Sequence, residues 1–126
     1  MNDKFFDDEP KEHCGLFGVI NNKHASWLTY LGLYALQHRG QEACGIVANH
    51  NGVLTAHKET GLVSDAFNEP TLRRLKGDMA CGHVRYSTTG SSILKNAQPL
   101  LIDSARGSVC IAHNGNLVNS MKLREY

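Results

Sequence analysis

The sequence predicts a mixed α/β layered domain, and three features carry that reading. Its apolar residues come in short runs of strand length. Two of those runs flank a hairpin turn signal. Segments with helical spacing are interspersed among the others, so sheet and helix must share one core.

Taken in order, residues 15–20 (GLFGVI) read as a buried strand with close backbone packing at its glycines. Ser26 is placed to cap a helix from 27 to about 38, with Leu28, Leu31, Ala35 and Leu36 near helical spacing and Gly40 as its stop. Residues 44–48 and 53–57 flank His50-Asn51-Gly52 and predict a β-hairpin. A short helix is expected around 70–75. Residues 79–84 and 109–112 read as further buried strands, with a shorter one at 99–102. From 117 to 126 the pattern is helical and runs to the last residue without a cap, which reads as a chain cut within a domain.

Composition narrows the function classes. The chain has 126 residues, about one small domain, and 41% hydrophobic with 20% charged residues places it among globular chains. No apolar run approaches the ~20 residues needed to cross a bilayer, so no membrane partner is expected. The formal net charge of +1 argues against a general nucleic-acid binder. That charge is unevenly spread. Residues 1–13 hold two lysines against five acidic side chains, a net −3, while the remainder nets +4. This acidic opening lacks the basic and apolar regions of a secretory signal, so the expected compartment is cytoplasmic and reducing, without disulfides. Cys14, Cys44, Cys81 and Cys110 form no CxxC and match no zinc spacing, so no metal site is expected here. Cys44, Cys81 and Cys110 sit within apolar runs and read as small buried residues.

Cys14 differs, because it lies where the acidic stretch gives way to the first strand. A thiolate is the nucleophilic form of cysteine, and at an ordinary pKa of ~8.5 little of it exists at neutral pH. The residue's own α-amine, with a pKa of ~8, can shuttle the proton if Cys14 becomes the first residue of the mature chain. Residues 1–13 would then be a propeptide. Beyond one strand, Arg85 offers a planar fork matched to a carboxylate, and Thr88 a further donor. Beyond another, Asn114 and Gly115 set a side-chain amide beside a backbone N–H, the parts of an oxyanion hole. Gln37-His38-Arg39-Gly40-Gln41 gathers polar groups at a helix end.

The stretches CGLFGV, LQHRGQEACGIV, GHVRYSTTG, NAQPL and AHNGNLVN, in this order, resemble the glutaminase domain of the amidophosphoribosyltransferases. These are class II glutamine amidotransferases with the N-terminal-nucleophile hydrolase fold, and the resemblance runs from Cys14 to Tyr126. It implies an αββα layered sandwich, present only in part. It also implies that Cys14 attacks the glutamine carboxamide to give a γ-glutamyl thioester, with its freed α-amine as base. Arg85 matches the residue that grips the substrate α-carboxylate, Thr88 its assistant, and Asn114 with Gly115 the oxyanion hole. Arg39 matches an arginine near the nucleophile and is grouped with the substrate-binding residues. Ammonia would pass to phosphoribosyl pyrophosphate to give 5-phosphoribosylamine, the first step of de novo purine synthesis. The phosphoribosyltransferase domain with its Mg²⁺ and an aspartate for the substrate α-amine are absent from these residues. So are the cysteines that hold a 4Fe–4S cluster in some members. A homotetramer is implied for the full-length enzyme.

Two other readings stand beside this one. A different class II glutaminase, such as that of glucosamine-6-phosphate synthase or glutamate synthase, would share the Cys-Gly start and the Asn-Gly pair; residues 37–41, Tyr86 after Arg85 and the acidic leader speak against it. An inactive fragment would expose apolar faces that have lost their strand partners.

Overall fold

A computed structural model describes residues 14–86, 94–115 and 118–126. The chain opens with β1 (Gly15–Val19), helix α1 (Ala25–Leu36) and a 3₁₀ turn at Gln37–Arg39. It continues through β2 (Ala43–His50), β3 (Val53–Thr60), the short helices α2 (Val63–Ala66) and α3 (Glu69–Arg74), and β4 (Met79–Arg85). A 3₁₀ turn at Leu94–Asn96 leads into β5 (Leu100–Ser104) and β6 (Gly107–Ile111), and α4 (Ser120–Leu123) lies near the end.

Four strands form one antiparallel sheet in the order β1-β4-β2-β3, and β5 pairs with β6 in a second. The β2–β3 hairpin forms as expected, with longer arms. Its two-residue turn puts Asn51 at φ 51° and Gly52 at φ 86°, the paired left-handed geometry that matches strand twist. The Asn49 side chain accepts the Gly52 amide at 2.8 Å. The helix at 70–75 is α3, capped by Asn68, which accepts from Thr71 N at 2.9 Å.

β4 divides the fold into layers. Ala80 and Val84 join Ala25, Leu33, Cys44, Ile46, Val63, Phe67, Leu72 and Leu75 in the core beneath α1. The alternate residues Cys81, His83 and Arg85 face the opposite way, as the period of two requires. There the second sheet covers them: the His83 ring lies 3.1 Å from the His113 carbonyl, and Gln98 lies over Gly45. Helix, large sheet and small sheet stack as three layers.

Several expectations need correction. Ser26 does not cap α1, which starts at Ala25 after His24 with no side-chain cap. Its hydroxyl is buried and donates to the Leu75 carbonyl, joining α1 to the end of α3. Gly40 is no left-handed stop either: its backbone is extended (φ −165°, ψ 118°), following the 3₁₀ turn. β1 is an edge strand and only Gly15 is buried; Leu16 and Phe17 are 40% and 38% exposed. Residues 99–102 and 109–112 form the β5–β6 hairpin, but Leu101, Ile102, Val109 and Ile111 are exposed: the last three lie on the face turned away from the larger sheet, and Leu101, on the face of Cys110, is only partly covered. Cys110 and Cys81 are accordingly half-buried rather than core, with their thiols in hydrogen-bond contact across the two sheets; Cys44 is buried as expected. Of the helix expected from 117 to 126, the described residues hold one turn, α4.

Ser26→Ala should lower stability by about 1–3 kcal/mol, because it strands the buried Leu75 carbonyl. His24→Ala, at the cap position whose side chain makes no capping bond, should stay within about 0.5 kcal/mol of the parent. Urea denaturation of both variants checks this.

Candidate active site

Cys14 stands immediately before β1 with φ 63°, a left-handed backbone uncommon outside glycine and asparagine. Three of its atoms are held there. Its backbone nitrogen donates to the Arg39 carbonyl at 2.9 Å, and Arg39 Nε donates to the Cys14 carbonyl at 2.8 Å. The sulfur lies 3.4 Å from the Tyr86 amide nitrogen, which donates to it, and 3.5 Å from the Tyr86 carbonyl. An N–H aimed at sulfur is the donor that a thiolate accepts.

These contacts bring the end of β4 to Cys14. The Gly15–Val84 pairing of β1 with β4 carries Arg85 and Tyr86 past the start of β1. Gly40 then becomes indispensable, since a Cβ there would lie 2.6–2.8 Å from the Arg85 backbone. Glu42 N donates to the Arg85 carbonyl at 3.1 Å, closing the same junction. Arg85 Nη1 donates to the Asn96 carbonyl at 2.8 Å, which anchors the guanidinium over the NAQPL segment. Gln98 of that segment takes the His113 amide on its side-chain oxygen at 2.7 Å. The Gln98 carbonyl packs on Gly45, where an added Cβ would lie 2.3 Å from it.

Cys14, Arg39 and Arg85 are therefore gathered at one end of the sheet. Asn114 and Gly115 follow β6 in an exposed bend, Gly115 at φ 140°, and reach β4 through His113. Thr88 and residues 1–13 lie outside the described residues. Among the described residues no cluster of three or more His, Cys, Asp or Glu could hold a metal, and no helix is long and apolar enough to cross a membrane.

Sequence reasoning assigned no site role to Tyr86, Gln98 or His83. The first contributes through its backbone, which no side-chain pattern reveals. His83 had a usable signal: a polar residue on the inward alternation of an apolar strand. It is completely buried, and its ring nitrogen Nε2 must carry the proton, because the His113 carbonyl can only accept. Nδ1 is left without a partner among the described residues. Burial pushes the imidazole down to about 4; the bond to His113 opposes this, and the charges of His113 and Arg85 add to it. His83 is neutral at neutral pH. Burial, followed by the Glu59 charge, pushes the Cys44 thiol up to about 12, which makes it an inert packing residue.

No protein-family model matches the chain. It is 54% identical over 120 residues to amidophosphoribosyltransferase 2, chloroplastic, of Arabidopsis thaliana, covering 94% of this chain and 21% of that protein. It is 50% identical over 115 residues to the amidophosphoribosyltransferase of Bacillus subtilis (strain 168), covering 90% and 24%. The chain thus spans between a fifth and a quarter of the length of these relatives. Among solved structures, glutamine phosphoribosylpyrophosphate (PRPP) amidotransferase from B. subtilis, complexed with ADP and GMP, superposes with a TM-score of 0.78 at 48% identity, over 87% of this chain and 24% of that one. A structure described as the allosteric regulatory enzyme of purine biosynthesis gives 0.82 at 49%, with the same coverage. The fold is part of the N-terminal-nucleophile hydrolase sandwich that the sequence implied.

The His83 environment has a pH consequence. Its folded pKa of about 4 lies below the ordinary ~6.5, so on acidification the unfolded chain takes the proton first. Its stabilising contribution is complete above ~6.5 and is lost as pH falls towards 4. Melting temperature should therefore fall less steeply between those pH values in His83→Gln than in the parent. Equal slopes would mean that His83 is not held neutral.

Proposed function

We propose that residues 14–126 are the first part of a glutaminase domain in an amidophosphoribosyltransferase, with Cys14 as an N-terminal nucleophile. The observation that carries this reading is the threefold restraint of Cys14, through its nitrogen, its carbonyl and its sulfur. A packing cysteine needs no such restraint. Removal of residues 1–13 as a propeptide would turn the nitrogen beside the Arg39 carbonyl into an α-amine already oriented by an acceptor.

In that state the α-amine takes the thiol proton as sulfur attacks the glutamine carboxamide carbon. Negative charge develops on the amide oxygen, and the Asn114 side-chain amide and Gly115 N–H would stabilise it. Collapse breaks the C–N bond, the amine returns the proton to the leaving ammonia, and a γ-glutamyl thioester remains for water to hydrolyse. Arg85, anchored on Asn96, would hold the substrate α-carboxylate, with Thr88 assisting. Arg39 contributes at least partly by clamping Cys14, in addition to any contact with substrate. Ammonia would then displace pyrophosphate from phosphoribosyl pyrophosphate, giving 5-phosphoribosylamine. Mg²⁺ would serve that second reaction in a phosphoribosyltransferase region, and a homotetrameric, cytoplasmic assembly belongs to the same proposal for the complete protein; the cysteines that hold a 4Fe–4S cluster in some family members are not among these residues.

Mass spectrometry of the active complete protein should find Cys14 at its N-terminus. Retention of residues 2–13 in active enzyme would refute an amine-based mechanism. Steady-state glutaminase kinetics then separate the roles. Arg85→Ala should raise KM strongly, because the carboxylate is charged before and during reaction. Asn114→Ala should mainly lower kcat, by about 10²–10³, because its partner oxygen is charged only in the transition state. The opposite pattern would reverse the two assignments.

A further inference from the structure

We propose that His83 is the positioning residue of the oxyanion turn, its Nε2–H holding the His113 carbonyl and thereby the orientation of Asn114 and Gly115. This rests on the function proposed above for that pair. The His113 carbonyl belongs to the peptide group whose nitrogen is that of Asn114, so whatever fixes this carbonyl fixes the plane from which Asn114 departs. His83 does so at 3.1 Å from the central strand, two residues before Arg85. The preceding peptide is fixed independently, because the His113 amide donates to the Gln98 side chain at 2.7 Å.

The two braces leave the His113 backbone little freedom, although the residue itself is exposed. Asn114 and Gly115 are exposed too, and Gly115 adopts φ 140°, so packing on the bend does not account for its shape. His83 is also a costly choice for a mere filler. Its Nδ1 is buried without a partner among the described residues, a cost that an apolar side chain of similar size would avoid. What an apolar side chain lacks is the donor for the His113 carbonyl. Through this bond the strand that ends at Arg85 also sets the geometry of the oxyanion donors, so substrate grip and transition-state stabilisation share one rigid element.

The test compares His83→Gln, His83→Asn and His83→Leu in the complete protein. The glutamine amide N–H reaches the position of Nε2–H, whereas the asparagine amide ends near Nδ1 and falls short. His83→Asn and His83→Leu should lower the glutaminase kcat by roughly 10–100-fold, with KM for glutamine changed less than about twofold. His83→Gln should restore kcat to within about threefold of the parent. Undiminished kcat in His83→Asn, failure of His83→Gln to restore it in a protein of parental melting temperature, or a loss seen only in KM would overturn the proposal. Should the His83 variants fail to fold, ¹⁵N NMR of the parent decides: a neutral ring protonated at Nε2 is expected, and an Nδ1–H tautomer, which has no donor for the His113 carbonyl, would overturn the proposal. Asn114→Ala distinguishes the two levels of failure. If it lowers kcat while His83→Asn does not, only the positioning role falls; if it leaves kcat unchanged, the oxyanion assignment falls and the positioning role with it.

Discussion

β4 alternates faces with a period of two, and the layers of the structure are arranged around that alternation. Ala80 and Val84 contribute to the core beneath α1, while Cys81, His83 and Arg85 enter the space shared with the small sheet. A one-residue slip would exchange these sets, burying a guanidinium under a helix and pointing alanine and valine at the site. Pairing on both sides, with β1 and with β2, prevents that slip. The strand is thus fixed in register before any polar contact is counted.

The polar contacts elaborate this register at the end of the sheet. Gly40 lets the segment after α1 lie directly on the Arg85 backbone, and this brings the Arg39 carbonyl within reach of Cys14 N. Bulk at position 40 would separate the two. The left-handed backbone of Cys14 carries a conformational cost, and bonds to Arg39 and Tyr86 offset it. Strain at a residue held from three directions fits a group that must present one atom in one place.

A similar economy governs the second sheet. β5 and β6 bury little apolar surface of their own, since Leu101, Ile102, Val109 and Ile111 remain exposed. What ties this part of the chain to the larger sheet is largely polar: Arg85 to Asn96, His83 to His113, and the Cys81 thiol to that of Cys110. Directional bonds of this kind specify position more than they add stability.

The sequence by itself determined what depends on near neighbours along the chain. The hairpin at Asn51-Gly52 needs only a local left-handed pair, and the β4 strand and the Asn68-capped helix likewise announce themselves in short windows. Motif order was enough to nominate Cys14, Arg85, Asn114 and Gly115. Tertiary structure alone decided the rest, because the partners are distant in sequence. Ser26 has the chemistry of a cap, yet its hydroxyl serves a carbonyl 49 residues away. Gly40 resembles a helix stop, but its missing side chain makes room for a strand that arrives 45 residues later, at Arg85. Val109 and Ile111 are apolar enough for a core but stay exposed, because burial requires a covering layer that an apolar run cannot supply for itself. His83 stands out in the sequence as a polar residue in an apolar strand, but its partner was decided only by the fold, which placed a carbonyl 3.1 Å from its ring; a hydrogen bond needs both partners in place and a linear pattern shows one.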